Sequence, residues 1–159
     1  MDNVAIARAI HVICVVIWIG GVAMVTTIVL PAIRRLDTAA KRVALFEAIE
    51  GRFVWQARIA TLLVAASGFY MADRLDLWVR FRAVQFWWMH AMVLVWLIFT
   101  IILFVGEPLV MWERKRRGIA NAPDVNVTRM QRLHWVLLVL SAVTVMAAVA
   151  GSHGMQLVP

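Results

Sequence analysis

With 159 residues, 64% of them apolar against roughly 45 to 50% in an ordinary soluble domain, the chain is long enough for one domain and too apolar to be hidden inside a water-soluble core. Its net charge of +7 does not read as a nucleic-acid footprint, because the basic residues fall in blocks between apolar runs rather than along one face. The lone cysteine, Cys14, excludes an internal disulfide and any Cys-x-x-Cys pair for zinc or covalent haem.

Four stretches carry the apolar excess: Val4 to Leu30, Phe53 to Ala72, Ala83 to Val105, and Leu133 to Ser152. Each is about 20 residues or longer, enough at roughly 1.5 Å per residue to cross a hydrocarbon core of about 30 Å. The first has Asp2 where a cleaved signal would have a basic leader, and its apolar run is too long for one, so it is expected to stay as a helix. Pro31 is expected to close it. Asp37 or Thr38 then caps a short helix over about 38–50, whose Val43, Phe46 and Ile49 face either the lipid surface or solvent. The second span is the least apolar, with Gln56 and Arg58 near its start, and an arginine there can reach the phosphate layer. A short outer loop, Asp73 to Arg82, makes the second and third spans antiparallel neighbours. Pro108 follows the third span, and Glu113 to Val127 reads as a solvated loop before the fourth. The sequence thus predicts a single all-α domain over residues 1–159, an integral membrane four-helix up-and-down bundle.

Charge sets the orientation. Of the 16 Lys and Arg residues, twelve flank the two loops that join spans one to two and three to four. Only Arg8, Arg74, Arg80 and Arg82 lie on the other side. Basic loops are retained in the cytoplasm, so both termini are expected outside, in a bacterial-type inner membrane. A basic collar on anionic lipid accounts for the charge.

The histidines are the chemistry-bearing candidates, because ionisable groups within a membrane are costly. His11 and His90 each stand seven residues into an inward-running span, about 10 Å deep, so two imidazoles at one level are expected to face each other across the bundle. Axial ligation of a haem needs that arrangement; interhelical hydrogen bonds are the structural alternative. A weak repeat supports the pairing, since a shift of about 79 residues lays His11 on His90, Gly68 on Ala147, and Ala72 on Gly151.

A macrocycle also needs room, and the outer halves of spans two and four are small-sided. They carry Ala65, Ala66, Ser67, Gly68 and Ala72 on one, and Ala147, Ala148, Ala150, Gly151 and Ser152 on the other. Close helix packing would use the same residues. Arg8, one turn before His11, is placed to meet a propionate, with Arg74, Arg80 and Arg82 at the same level. His153 sits at the outer mouth, free to hydrogen-bond a propionate, replace a ligand, or bind metal with Met155. His134 is deep on no other span's level, so a second haem lacks a ligand and one haem is expected.

The run Ala7-Arg8-Ala9-Ile10-His11-Val12, then Trp18-Ile19-Gly20-Gly21 and Leu30-Pro31, resembles the first helix of the copper-resistance-D-type membrane proteins. It is also similar to the membrane-embedded protoporphyrinogen oxidases, which carry an early histidine followed by a tryptophan and a glycine. The resemblance covers about the first 35 residues and implies a haem b or copper site with His11 as a ligand. The lysine that those oxidases carry on the third helix has no counterpart here, where Trp88-Met89-His90-Ala91-Met92 stands instead.

The expected function is therefore that of a b-type cytochrome, a membrane oxidoreductase or electron-transfer protein. It would move electrons between a quinol or small oxidant at the outer face and a redox partner protein, as a single chain or with a second copy of itself. Copper binding or transport through Met89, His90, Met92, His153 and Met155 is the alternative from a different class. A cofactor-free membrane scaffold subunit is the third.

Overall fold

The computed structural model describes residues 3–117 and 127–154, and among them the chain is helical with no strand. Helix α1 (Asn3–Met24) leads through a π-turn (Val25–Val29) into α2 (Leu30–Arg34), and α3 (Ala39–Arg74) follows. Two 3₁₀ turns (Leu77–Arg82 and Val84–Phe86) precede α4 (Trp87–Ile101), which passes through a second π-turn (Ile102–Gly106) into α5 (Glu107–Arg117). Helix α6 (Val127–Ser152) closes the described chain. Three of these runs are long and apolar enough to cross a membrane: Asn3–Arg34, Val84–Glu113 and Thr128–Ser152. Their outward faces carry Val16, Ile28, Val136 and Met146, each more than 60% exposed. Water would oppose such an exterior and lipid tolerates it.

One proline expectation needs correcting, that Pro31 closes its helix. Neither Pro31 nor Pro108 ends its helix, because each is preceded by a π-turn that absorbs the missing N–H. Leu30 N–H bonds to the Val25 carbonyl and Glu107 N–H to that of Ile102, both five residues back. In that register the next donor would be the proline nitrogen, which has no hydrogen. The carbonyl robbed by Pro108 is that of Leu103. Arg58 of α3 satisfies it twice, from Nε at 3.1 Å and Nη2 at 2.9 Å, while pairing with Glu107 at 2.6 Å. The guanidinium, flanked by the rings of Trp55 and Phe104, is thus a strut between α3 and the second π-turn, not only a group reaching for the phosphate layer.

The short helix expected over about 38–50 and the span that follows it are one unbroken α3. Thr38 does cap its start, accepting from Lys41 N–H at 3.4 Å. Gly51 costs only about 1 kcal/mol relative to alanine and no proline follows, so nothing breaks the helix there. Asp76, at φ 49° in the left-handed region, reverses the chain after α3. The expected loop from Glu113 is helical as far as Arg117, and the rest of it up to 126 lies outside the described residues.

Helix α1 lies along α3 and α4 along α6; α3 meets the second π-turn and α5 through Arg58, and α4 through the Trp96 indole, which donates to the Thr61 carbonyl at 3.0 Å. The core is centred on Trp18, Val22, Ala57, Ala60, Val64, Val95, Phe99, Leu103 and Leu137, with Trp18 edge-on to Phe99 at 4.8 Å between centroids. A second cluster of Val25, Leu30, Ile33 and Phe46, joined by Met130, closes the end that carries the first π-turn.

Candidate functional site

His11 is half-buried on the face of α1 that also carries Ala7, Cys14 and Trp18. Its Nδ1 stands 3.0 Å from Ser67 Oγ on α3. Ser67 has one hydroxyl hydrogen, and it points at its own helix, with the Leu63 carbonyl at 2.6 Å and that of Val64 at 3.2 Å. The serine oxygen must therefore accept, and His11 Nδ1–H donates. With Nδ1 protonated, Nε2 carries the bare lone pair through which imidazole binds a metal. Gly68 makes room for the ring, since a Cβ there would stand 3.3 Å from His11 Cε1.

His90 is not its partner. The third helix begins as an α-helix at Trp87 rather than at Ala83, because residues 77–86 are taken up in 3₁₀ turns, so His90 falls in the first turn and not seven residues deep. Its side chain is exposed and lies edge-on to Phe81 at 5.2 Å. The inward residue at this level is Met89, 5% exposed.

The cause is the register of the two halves. The π-turns and Pro31 with Pro108 align Trp18 with Val95 and Val22 with Phe99, all four buried. In this register His11 meets Trp88, and His90 meets Ile13, whose side chain is also exposed. The following helices align differently: Val54 with Leu137, Thr61 with Thr144, and Val64 with Ala147 are all buried, and Gly68 meets Gly151. A single shift for the whole chain misses both registers.

The small residues expected to leave an open slot are filled notches. His11 lies on Gly68, and the Trp88 indole lies against Gly151, with Cδ1 2.6 Å from a Cβ built there. Arg8 is exposed one turn from His11, as a propionate partner would be. Arg74 stacks on Tyr70 and Arg80 on Phe86, so these two arginines are held by rings. His153 is exposed, and its Nδ1–H donates to the Val149 carbonyl at 2.8 Å. His134 does the same to the Met130 carbonyl at 3.0 Å.

As for copper, Met89 is buried, His90 exposed and Met92 half-buried, while Met155 lies outside the described residues. Among the described residues no three His, Cys, Asp or Glu side chains come together as a metal site. Among the described residues two buried side-chain donors lack an acceptor, Trp18 Nε1, on the His11 face, and Arg42 Nε.

Ser67 and Trp88 are the residues the sequence did not single out. A hydroxyl beside Gly68, at the depth of His11 on the neighbouring antiparallel helix, was the available signal for Ser67. No family model matches the chain, and comparison with curated proteins and with solved structures finds no match.

Proposed function

We propose that this chain is a four-span membrane protein with both termini outside a bacterial-type plasma membrane, holding a b-type haem through His11 for electron transfer at the outer face. The observation that carries the reading is the 3.0 Å contact of His11 Nδ1 with Ser67 Oγ, in the expected outer half of an apolar helix pair; with Nδ1–H donating, Nε2 is left bare. Ser67 fixes the ring and makes the imidazole a stronger donor, as outer partners of metal-bound histidines do. Arg8, one turn nearer the water, supports it as a carboxylate partner. A b-type haem, when bound, supplies one-electron chemistry with a potential set by its ligands and surroundings. A pair of axial imidazoles does not fit, because His90 faces outward; His11 is the ligand of this proposal.

A second reading is favoured by one observation, the Trp88 indole seated in the Gly151 notch. There the chain is a cofactor-free subunit, and the His11–Ser67 bond ties α1 to α3 as polar pairs do within membranes.

The absorption spectrum of the chain, purified after expression with ample haem, separates the two. The first reading expects a Soret band that His11→Ala abolishes and His90→Ala leaves in place. A colourless wild-type protein removes it and leaves the second.

A further inference from the structure

Between α1 and α3, on the lipid-facing side, runs a cavity of about 300 Å³ lined by Cys14, Ile17, Gln56, Ile59, Ala60 and Leu63. Five of these groups are apolar or nearly so, and the sixth, Gln56, is an exposed amide toward the end expected to be cytoplasmic. The groove spans the eight residues from Gln56 to Leu63, about 10 Å of helix rise. Gly20, three residues beyond Ile17 on α1, has open space where a Cβ would stand. A larger side chain there would occupy that open space, about one turn from Ile17.

An apolar trough with a polar amide at one end matches an acyl chain joined to a polar head. One helical turn before Gln56, on the same side of α3, stands the exposed Arg52. The rise between them, about 6 Å, separates an ester-level hydrogen-bonding group from a cation at phosphate level. Arg34 and Arg35, also exposed, close the neighbouring end of α2. Charge therefore selects the head group.

We infer that the α1–α3 groove binds one anionic phospholipid, its acyl chain along Ile17, Ile59 and Leu63, with Gln56 and Arg52 at its ester and phosphate groups. The site depends on α3 lying in the bilayer and is independent of the haem reading. It differs from a general basic collar, which attracts anionic lipid without holding one molecule in one place.

The test reconstitutes the purified full chain, stripped of lipid by detergent exchange, into vesicles of equal parts phosphatidylglycerol and phosphatidylcholine, then releases it for native mass spectrometry. One phosphatidylglycerol is expected to stay on the wild-type chain. Arg52→Gln should lower its occupancy about fivefold, the loss of one basic residue's attraction to an anionic surface. Gln56→Leu and Gly20→Leu should lower it also, the second by filling the groove. Arg132→Gln, which removes an exposed basic residue of α6, should leave it unchanged. Should Gly20→Leu fail to fold by circular dichroism, Gln56→Leu, on an exposed position, still decides. Equal retention of phosphatidylcholine, an equal loss in Arg132→Gln, or a lipid-free dimer in place of the lipid-bound chain would each overturn the site. Extraction of the protein by alkaline wash would overturn the bilayer placement of α3 and the site with it. A colourless chain that keeps its lipid removes only the haem reading.

Discussion

His11 and Trp88 are counterparts: each is the ring that one helix of a packed pair presses onto a glycine of the next, His11 onto Gly68 and Trp88 onto Gly151. The two halves of the chain thus use one packing device, with an imidazole in the first and an indole in the second. The fits differ in tightness. A methyl group at Gly68 would meet His11 Cε1 at 3.3 Å, which a small ring movement relieves, whereas at Gly151 it would overlap the indole edge.

Gly151→Ala is therefore expected to destabilise the protein by about 1 to 3 kcal/mol, the usual range for overpacking, and to shift tryptophan emission as Trp88 leaves its notch. Gly68→Ala should cost less. Thermal unfolding of both variants in one detergent checks the order, and an equal or reversed cost would show that the notches are not what positions the rings.

Arg58 and Pro108 are coupled through the Leu103 carbonyl. Arg58→Met should cost about 1 to 3 kcal/mol, because it leaves that carbonyl and the Glu107 carboxylate, 20% exposed, without their donor. Pro108→Ala restores a backbone N–H within reach of the π-turn, so the same arginine change should cost less in that background. A double-mutant cycle on unfolding free energies reads the coupling directly. Additive effects would mean that the arginine serves only the carboxylate.

His90→Ala should change stability by no more than about 0.5 kcal/mol, as for other exposed positions. Phe81 loses one edge contact and no buried polar group is left unpaired. A loss of several kcal/mol, or of bound cofactor, would place His90 inside the protein and restore the pairing that its spacing suggested.

The helical class and three of the long apolar helices were legible in hydropathy alone, since an uninterrupted apolar run has few other places to go. His11 was legible too, as a costly group within such a run. What could not be read was helix phase. Position along a helix gives depth, but the direction in which His90 points depends on where α4 starts and on the extra residue each π-turn inserts, and neither leaves a mark that hydropathy detects. Pro31 was seen as a stop because proline removes a donor. Whether the freed carbonyl finds another donor, as that of Leu103 does in Arg58, depends on a helix distant in sequence. Gly68 and Gly151 were read as room, and room between helices is filled by whichever ring lies opposite.

The tautomer of His11 gives the last prediction. In the wild type, Ser67 Oγ accepts from Nδ1–H, so nitrogen-15 NMR of the imidazole should show a protonated Nδ1 and a bare Nε2 above the titration range of the ring. Ser67→Ala removes the side-chain acceptor of that hydrogen and should mix the two tautomers. It should also cost about 1 kcal/mol in stability, since interhelical polar bonds within membranes are worth about 0.6 to 2 kcal/mol. Ser67→Thr keeps an oxygen at the same place on α3 and should preserve both the tautomer and the stability. If Ser67→Ala leaves the nitrogen spectrum unchanged, the imidazole is held by another group, and the bare Nε2 on which ligation by His11 depends is no longer secured.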